Sequence, residues 1–402
     1  MRVVLFSTYV AWAIANLIST DPSCTISINY QSGNLKEPQP LLLNQNMTIW
    51  YPEDHGGRIR IPVNGSIYLA CPGDNNYLTN ENWGDKVEAV CVRDDVFDVN
   101  EITGIRFSSL VCKSHTWHRA KRMDSLPCLE RHSPIEIGFS VSGSFIPTIE
   151  LCRDDETKVT YYTKFKMTKM IKYYQINYPR PSKFLAGSFY PDIDIDQLYK
   201  FKTQLNTLAE ILNSTELAKQ RLKKSEQFLS RGHLAAKADF VYGAQQRSTF
   251  WYLNTAPQWK SFNEGNWYYL EVIVRIFATT KNLDLDVYTG VHGQMTMLDI
   301  HNEQQPVYLG VDGAISVPKF YWKVIYDPLS RRGIAFIGLN DPFIDSVTSD
   351  VYLCTDVSER VAWLWIIEKN DIKAGILYAC DVTDLRRAVP TVPELDVINI
   401  LT

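Results

Sequence analysis

The sequence lacks several features that would assign it to a well-marked class of protein. It has no C-x-x-C pair, which structural zinc sites usually need, so its eight cysteines do not predict a zinc site. It has no internal repeat and no low-complexity segment, which excludes a repeat protein and a disordered chain. With 402 residues, 45% of them hydrophobic and 21% charged, it is typical of a globular protein with roughly two or three domains.

Long apolar runs are absent except at the N-terminus. Arg2 precedes an apolar stretch, Val3–Ile18, and small polar residues follow from Ser19. This order is typical of a secretory signal peptide, so we expect residues 1–20 to be removed and the protein to be secreted without a membrane anchor. An uncleaved anchor is the alternative, but the stretch is shorter than the roughly 20 residues that span a bilayer.

The chain also has no excess of positive charge. Its 41 lysines and arginines are outnumbered by 45 acidic residues, which gives a net charge of −4. Proteins that bind nucleic acid are usually basic, because the neutralisation of phosphates supplies most of their affinity. Any nucleic-acid site must therefore be a local basic patch on a mildly acidic body.

The cysteines follow the expected cleavage point, and their even number favours disulfides in an oxidising compartment. Cys354 and Cys380 are the only two in the last third of the chain, so we predict that they bond to each other. The other six are expected to pair among themselves, in an order that the spacing leaves open: Cys24, Cys71, Cys91, Cys112, Cys128 and Cys152. Sequons predict glycosylation at Asn46, Asn64 and Asn213.

Short β-type runs and cysteines predict two domains after the signal peptide. Residues 21–154 are expected to form a small disulfide-rich β domain, and residues 155–402 a larger one. The larger domain mixes strand patterns with helical spacing, which predicts the α+β class with a mixed sheet and flanking helices. The predicted strands are 25–30, 66–71, 135–141, 159–167, 283–290 and 320–326, and the predicted helices are 197–212 and 216–228.

The most informative block holds three motifs, R-G-H at 231–233, N-x-x-P-Q at 254–258 and F-N-x-G-N-W at 262–267. Segments 234–242 and 249–254 are predicted as strands. A helix is predicted from 265 to 278, with these residues facing inward: Trp267, Leu270, Val274 and Phe277.

The residue types in this block suit the hydrolysis of a phosphodiester. A neutral histidine with its ordinary pKa of about 6.5 can take a proton from water. An asparagine oxygen is a suitable ligand for a magnesium ion, which keeps several of its waters. Arg231 and His233 project to the same side of an extended chain, which places a bidentate phosphate-binding group beside the histidine.

Together these motifs resemble the secreted DNA/RNA non-specific endonucleases of arthropods, which use the ββα-metal active site. The resemblance implies that His233 is the general base and that Asn263 is the direct ligand of Mg²⁺ or Mn²⁺. It also implies that Glu271 orients metal-bound water and that Arg231 clamps the phosphate. Further polar positions that match the family's nucleic-acid or phosphate contacts are Arg180, Asn254 and Gln258.

The chain departs from the family pattern at several positions. Ser230 stands where bacterial and mitochondrial relatives have aspartate, although arthropod members commonly have a small residue there. Glu264 follows the expected metal ligand, and its carboxylate would either strengthen metal binding or repel the phosphate. Ser358 and Ala379 replace two cysteines that relatives tend to carry, which affects stability and not chemistry.

Two functions are compatible with this resemblance. The first is a secreted, Mg²⁺-dependent endonuclease that cuts DNA and RNA without sequence preference, and the second is a salivary protein on the same fold that binds nucleic acid with little or no cleavage. A stretch of lysines and tyrosines from 158 to 174 fits either function, because lysines follow the phosphate backbone and aromatic rings stack on bases. The alternative for these lysines is a solvated edge strand that suppresses aggregation.

Overall fold

The computed structural model describes residues 22–54, 56–124, 127–129, 131–365 and 368–402. The predicted signal peptide, residues 1–20, lies outside the described residues. No helix in the described ranges is long and apolar enough to cross a membrane.

The N-terminal part is built from short strands. They are β1 (Ser23–Ser27), β2 (Leu41–Leu43), β3 (Arg58–Pro62), β4 (Ser66–Ala70), β5 (Lys86–Arg93), β6 (Val96–Val99) and β7 (Ile102–Arg106). Five of them form one sheet in the order β2-β4-β5-β6-β7, and β1 pairs with β3. Two disulfides, Cys24–Cys91 and Cys71–Cys112, tie this part together, as expected for a small β-rich region.

The rest of the chain adds longer strands and all of the α-helices in the described residues. The strands are β8 (Arg119–Arg122), β9 (Ser133–Val141), β10 (Ser144–Arg153), β11 (Thr160–Met167), β12 (Leu229–His233), β13 (Thr255–Trp259), β14 (Leu285–Gln294), β15 (Thr296–Leu298), β16 (Gln304–Pro306), β17 (Tyr308–Leu309), β18 (Ile315–Ser316), β19 (Pro318–Asp327), β20 (Arg332–Leu339), β21 (Leu377–Cys380) and β22 (Asn399–Ile400). The helices are α1 (Ile195–Leu198), α2 (Phe201–Ile211), α3 (Thr215–Arg221), α4 (Gly243–Ser248), α5 (Lys260–Asn263), α6 (Asn266–Thr280) and α7 (Val382–Ala388).

A nine-stranded sheet organises this larger part. Its order is β21-β20-β19-β14-β11-β10-β9-β8, with antiparallel neighbours throughout, and β22 joins β20 in parallel. The sheet is therefore mixed, and the predicted α+β class is confirmed. The disulfide Cys354–Cys380, the pair that the sequence predicts, anchors the edge strand β21.

Both faces of the central sheet are covered, which explains why β19 is buried along most of its length. Alternate side chains of a strand point to opposite faces, so Tyr321 and Ile325 join one core and Trp322 and Val324 the other. Helix α6 packs on the first core through its four predicted inward residues: Trp267, Leu270, Val274 and Phe277. Helix α7 packs on the second core.

The predicted domain boundary at residue 154 does not separate two sheets. Strands β8, β9 and β10 lie before it but pair into the same sheet as β11, and Cys128–Cys152 lies in this hairpin region. Clustered cysteines suggested a unit that ends at 154, whereas strand pairing continues across that point. Strand β11 also lies between β10 and β14, so its lysines do not sit on an edge strand.

Some predicted elements are wrong. Residues 234–242 and 249–254 are not strands, because the pairing strands are β12 and β13, immediately before and after this segment. Most residues from 234 to 254 are buried whether they are polar or apolar, so burial here follows no period that distinguishes a strand from a turn or a helix. The predicted helix 216–228 ends at Arg221, and the chain turns back through the bridge between Lys223 and Gln227.

Candidate functional site

Strands β12 and β13 form an antiparallel ribbon that positions the R-G-H motif. Arg231 pairs with Pro257 and His233 with Thr255, so both motif side chains project to one face of the ribbon. Gly232 faces the other way, where an added Cβ would lie 2.3 Å from Oε1 of Gln258. The same Cβ would lie 2.8 Å from the hydroxyl of Tyr321, so only glycine fits between Gln258 and Tyr321.

Arg231 lies against three aromatic rings. Its guanidinium carbon is 5.6 Å from the ring centre of Phe184, 4.8 Å from Tyr199 and 5.6 Å from Tyr252. Nε donates to the Tyr252 hydroxyl at 3.1 Å, and Nη2 donates to Oδ1 of Asp196 at 2.8 Å. The predicted phosphate clamp therefore already holds a carboxylate.

His233 lies between Phe184 and Phe250, with ring centres 5.3 and 5.0 Å away. The residue is half-buried, but its Nε2 is enclosed and has no hydrogen-bond partner in the described structure. Burial, and next the charge of Lys237, lower the pKa of His233 to about 4. The imidazole is therefore neutral at physiological pH.

Lys237 lies near His233, and Arg180 lies near Lys237. Lys237 donates from Nζ to the carbonyl of Tyr178, two residues before the exposed Arg180. Burial, and then the charge of Arg180, lower the pKa of Lys237. The structure thus places the predicted Arg180 in this neighbourhood, and it adds Lys237, which the sequence analysis missed. The sequence feature that could have identified Lys237 is its position four residues after His233.

Asn263, the predicted metal ligand, closes the short helix α5. Its Nδ2 donates to Oγ of Ser230 at 3.1 Å, and that hydroxyl donates to the carbonyl of Gln258 at 2.8 Å. Ser230 therefore fixes the amide of Asn263 and leaves Oδ1 without a protein donor among the residues that the structure describes. The neighbouring Glu264 forms an ion pair with Lys260, which offsets the negative charge of its carboxylate beside the expected metal ligand.

Glu271 and Asn263 lie in different helices, α6 and α5. The two helices are separated at Gly265, where a Cβ would lie 2.4 Å from the carbonyl oxygen of Ser261. Glu271 belongs to a charge cluster with Asp239, Arg275 and Lys323. Burial, and then the charge of Asp239, raise the pKa of Glu271 to about 7, while Lys323 and Arg275 oppose this rise.

The remaining members of this charge cluster are buried and paired. Arg275 donates to Asp239 at 2.7 Å, with only 9% and 2% of the two side chains exposed. Lys323 donates to Oγ1 of Thr289 at 2.5 Å. The sequence analysis missed Asp239, Arg275 and Lys323, although Arg275 follows Glu271 by one helical turn.

The N-x-x-P-Q motif supplies support for the ribbon. Asn254 is fully buried. Its Oδ1 accepts from the backbone N–H of Ala235, and its Nδ2 donates to the carbonyls of Ala235 and Thr249. It fixes the turn after His233 and is not open to a phosphate in this conformation. Gln258 is fully buried as well, and neither atom of its amide has a partner in the described ranges.

The predicted site residues therefore lie in separate groups. Arg231 and His233 share Phe184, and Asn263 is bound to Ser230, whose neighbour in sequence is Arg231. Within the described residues, no hydrogen bond or ion pair joins His233 to Asn263 or to Glu271.

Comparison with known proteins identifies the family. A family model described as DNA/RNA non-specific endonuclease matches residues 134–385, more than half of the chain. The chain belongs to this family. The match begins within β9, so the family region includes the hairpin that precedes residue 154.

Two salivary proteins of insects are similar to this endonuclease-family chain. The salivary endonuclease of Lutzomyia longipalpis is 28% identical over 343 residues, which cover 85% of this chain and 76% of the relative. Salivary protein Tsal1 of Glossina morsitans morsitans is 23% identical over 406 residues, which cover 97% of this chain and 96% of the relative.

A solved structure, the EndoG/EndoGI complex, is also similar. It is 18% identical and covers 56% of this chain and 81% of that chain, with a TM-score of 0.30. This score is too low to support an argument, so the fold assignment depends on the family match and on the sheet itself.

The endonuclease family depends on a divalent metal ion, and the Oδ1 of Asn263 is an oxygen of the type that binds such ions. Among the described residues, no group of three histidine, cysteine or acidic side chains is placed to hold a metal. A hard amide oxygen, fixed by Ser230 and otherwise free, suits a magnesium ion that keeps most of its waters. The residues present therefore fit a weakly held, hydrated ion.

The three sequons of this endonuclease-family chain are open to solvent. Asn46, Asn64 and Asn213 are all exposed, and the last two lie in turns with positive φ. Glycosylation at these positions stays a prediction.

Proposed function

We propose that the protein is a secreted, metal-dependent endonuclease that hydrolyses phosphodiester bonds of DNA and RNA without sequence preference. The observation that carries this proposal is the Nε2 of a neutral His233, which is enclosed, has no hydrogen-bond partner among the described residues and lies near the charge of Lys237. A neutral imidazole can accept a proton, and an arriving phosphate raises its pKa because the negative charge favours the imidazolium. Arg231, Lys237 and Arg180 supply the local positive charge that the acidic body of the protein lacks.

Each residue has a defined task in this mechanism. His233 takes a proton from the attacking water at its imidazole, and the aromatic rings beside it keep other water away. Arg231 and Lys237 bind and orient the phosphodiester. Asn263 would hold the metal through Oδ1, and the hydrogen bond to Ser230 keeps its amide oriented. A bound Mg²⁺ or Mn²⁺ supplies charge stabilisation on the phosphate and on the leaving oxygen.

The proposal is tested by incubating the full chain with supercoiled plasmid and with long RNA in millimolar Mg²⁺. We expect relaxed circles and RNA fragments, and we expect excess chelator to stop both reactions. Asn263→Ala is expected to lose most of the cleavage, whereas Asn263→Asp, which keeps an oxygen ligand, retains more of it. Cleavage that persists in excess chelator, or an Asn263→Ala variant that cuts as fast as the wild type, would overturn the proposal.

A second candidate is a protein that binds nucleic acid but cuts it slowly. It is supported by the partners of two predicted catalytic residues, because Arg231 is paired with Asp196 and Glu271 is placed in the buried charge cluster. Wild-type protein that shifts nucleic acid in a gel but leaves the plasmid supercoiled would favour this second function.

A further inference from the structure

The contact between Arg231 and Asp196 resembles the contact that a phosphate would make. The guanidinium presents its Nε edge to Tyr252 and its Nη2 to Oδ1 of Asp196, at 3.1 and 2.8 Å. The Tyr252 hydroxyl also donates to Oδ1 of Asp196 at 2.8 Å. An anionic oxygen thus occupies Nη2, one of the guanidinium donors with which arginine binds carboxylates and phosphates alike.

Asp196 reaches this position from the surface. Its side chain is 56% exposed, whereas that of Arg231 is 28% exposed. Solvent can therefore reach the carboxylate, and an exposed ion pair of this kind contributes little to stability. A competing anion can displace the carboxylate without exposing a buried core.

The fold does not depend on this carboxylate. Helix α1 is capped by Asp194, which accepts from the backbone N–H of Gln197. Within the described ranges, the hydrogen bonds of the Asp196 carboxylate go only to Arg231 and Tyr252. Removing its charge therefore changes the surroundings of Arg231 and leaves the helix cap in place.

We propose that Asp196 sets the affinity of the site: its carboxylate occupies the place of a phosphodiester on Arg231, and nucleic acid must displace it. This inference rests on the proposed function, in which Arg231 binds phosphate. The displaced carboxylate moves to solvent, which the exposure of its side chain allows. Asp196 is thus a built-in competitor that weakens binding.

The proposal has two measurable consequences. Asp196→Asn keeps the size of the side chain and removes its charge, so we expect nucleic acid to bind roughly two- to five-fold more tightly, in line with the strength of an exposed ion pair. The slope of log affinity against log salt should steepen by about one, because Arg231 is then free to neutralise one more phosphate.

The experiment measures fluorescence anisotropy of a labelled DNA oligonucleotide with the full chain, in chelator, over a series of NaCl concentrations. Asp192→Asn is the matched control, because it removes the same charge from a nearby exposed residue that has no contact with Arg231. Arg231→Ala is made in the wild-type and the Asp196→Asn backgrounds. We expect it to weaken binding more in the second background, where the guanidinium has no internal partner.

The outcomes separate this inference from the proposed function. If Asp196→Asn binds no more tightly than Asp192→Asn, or more weakly than the wild type, the carboxylate is an anchor for Arg231 and the inference is wrong. If no variant binds the oligonucleotide, the proposed function itself fails and the inference fails with it.

Discussion

Two residues of one sequence motif block, His233 and Glu271, lie in different surroundings. His233 is on a ribbon among aromatic rings, with Lys237 nearby and with a nitrogen that has no partner in the part of the chain that the structure describes. Glu271 is on α6 in a charge cluster with Asp239, Arg275 and Lys323, where burial raises its pKa to about 7. The first arrangement leaves a histidine nitrogen without a hydrogen-bond partner among the described residues, whereas the second pairs Arg275 with Asp239 and places Glu271 beside that pair. We infer that the ribbon carries the chemistry and that the cluster holds α6 against the sheet.

The largest effect expected from this comparison is the loss of stability on breaking the cluster. Arg275→Ala leaves Asp239 buried without its partner, which should lower the free energy of unfolding by about 3–5 kcal/mol. Chemical denaturation measures this change. The matched control is Arg331→Ala on the exposed pair with Asp396, where we expect a much smaller loss because solvent screens the pair. Equal losses would contradict a special role for the cluster.

The pH dependence of stability sharpens the same comparison. Because the pKa of Glu271 is raised to about 7 in the folded protein, its protonated form is favoured by folding. Its contribution to stability is present below the unfolded pKa and is lost as pH rises through about 7. Glu271→Gln should therefore be more stable than the wild type at pH 8 by on the order of 1–3 kcal/mol, with a smaller difference at pH 5.

Urea denaturation of the wild type and Glu271→Gln at both pH values tests this prediction. Glu264→Gln, at an exposed position with a lysine partner, serves as the control. A Glu271→Gln variant that is less stable at pH 8 than the wild type would show that the carboxylate is charged and stabilising in the fold.

A smaller effect is expected from the residue that orients the metal ligand. Ser230→Ala removes the hydroxyl that fixes Asn263, so the Mg²⁺ concentration for half-maximal cleavage should rise roughly ten-fold. Plasmid nicking over a Mg²⁺ series measures it. The control is Ser261→Ala, which removes a hydroxyl from α5, the helix of Asn263, and should not shift the Mg²⁺ dependence.

The smallest effect is expected at Lys237. Its charge helps to lower the pKa of His233, so Lys237→Met should raise that pKa. An NMR titration of the His233 ring in both proteins measures the change. We also expect the salt dependence of nucleic-acid binding to become shallower by about one in slope, because one phosphate contact is lost. An unchanged titration would place Lys237 too far away to act on the histidine.

Regular periodicity made part of this fold predictable. Helix α6 was predicted from 265 to 278 and runs from Asn266 to Thr280, with Trp267 and Leu270 inward as expected. Strands β11 and β19 correspond to the segments predicted as strands, 159–167 and 320–326. Each of these elements presents a repeating face to a core, which leaves a period in the sequence.

The rest depends on contacts between residues that are far apart in sequence. Asp196 meets Arg231 across 35 positions, and Asp239 meets Arg275 across 36. No local pattern marks such pairs, so the sequence predicted Arg231 as a phosphate clamp without its competing carboxylate. Similarly, the motif identified Asn254 as a polar site residue, but only packing shows that its amide is used by the backbone.

The most direct test of the central claim compares the wild type with His233→Ala, by plasmid nicking and by gel shift at equal salt. General-base catalysis contributes roughly 10²–10⁴-fold to rate, so we expect cleavage to fall by that factor. Binding should stay within about two-fold, because phosphate affinity depends on arginine and lysine charges. If the wild type cuts no faster than the variant, or if the variant loses binding as well, His233 is not the general base and the account is contradicted.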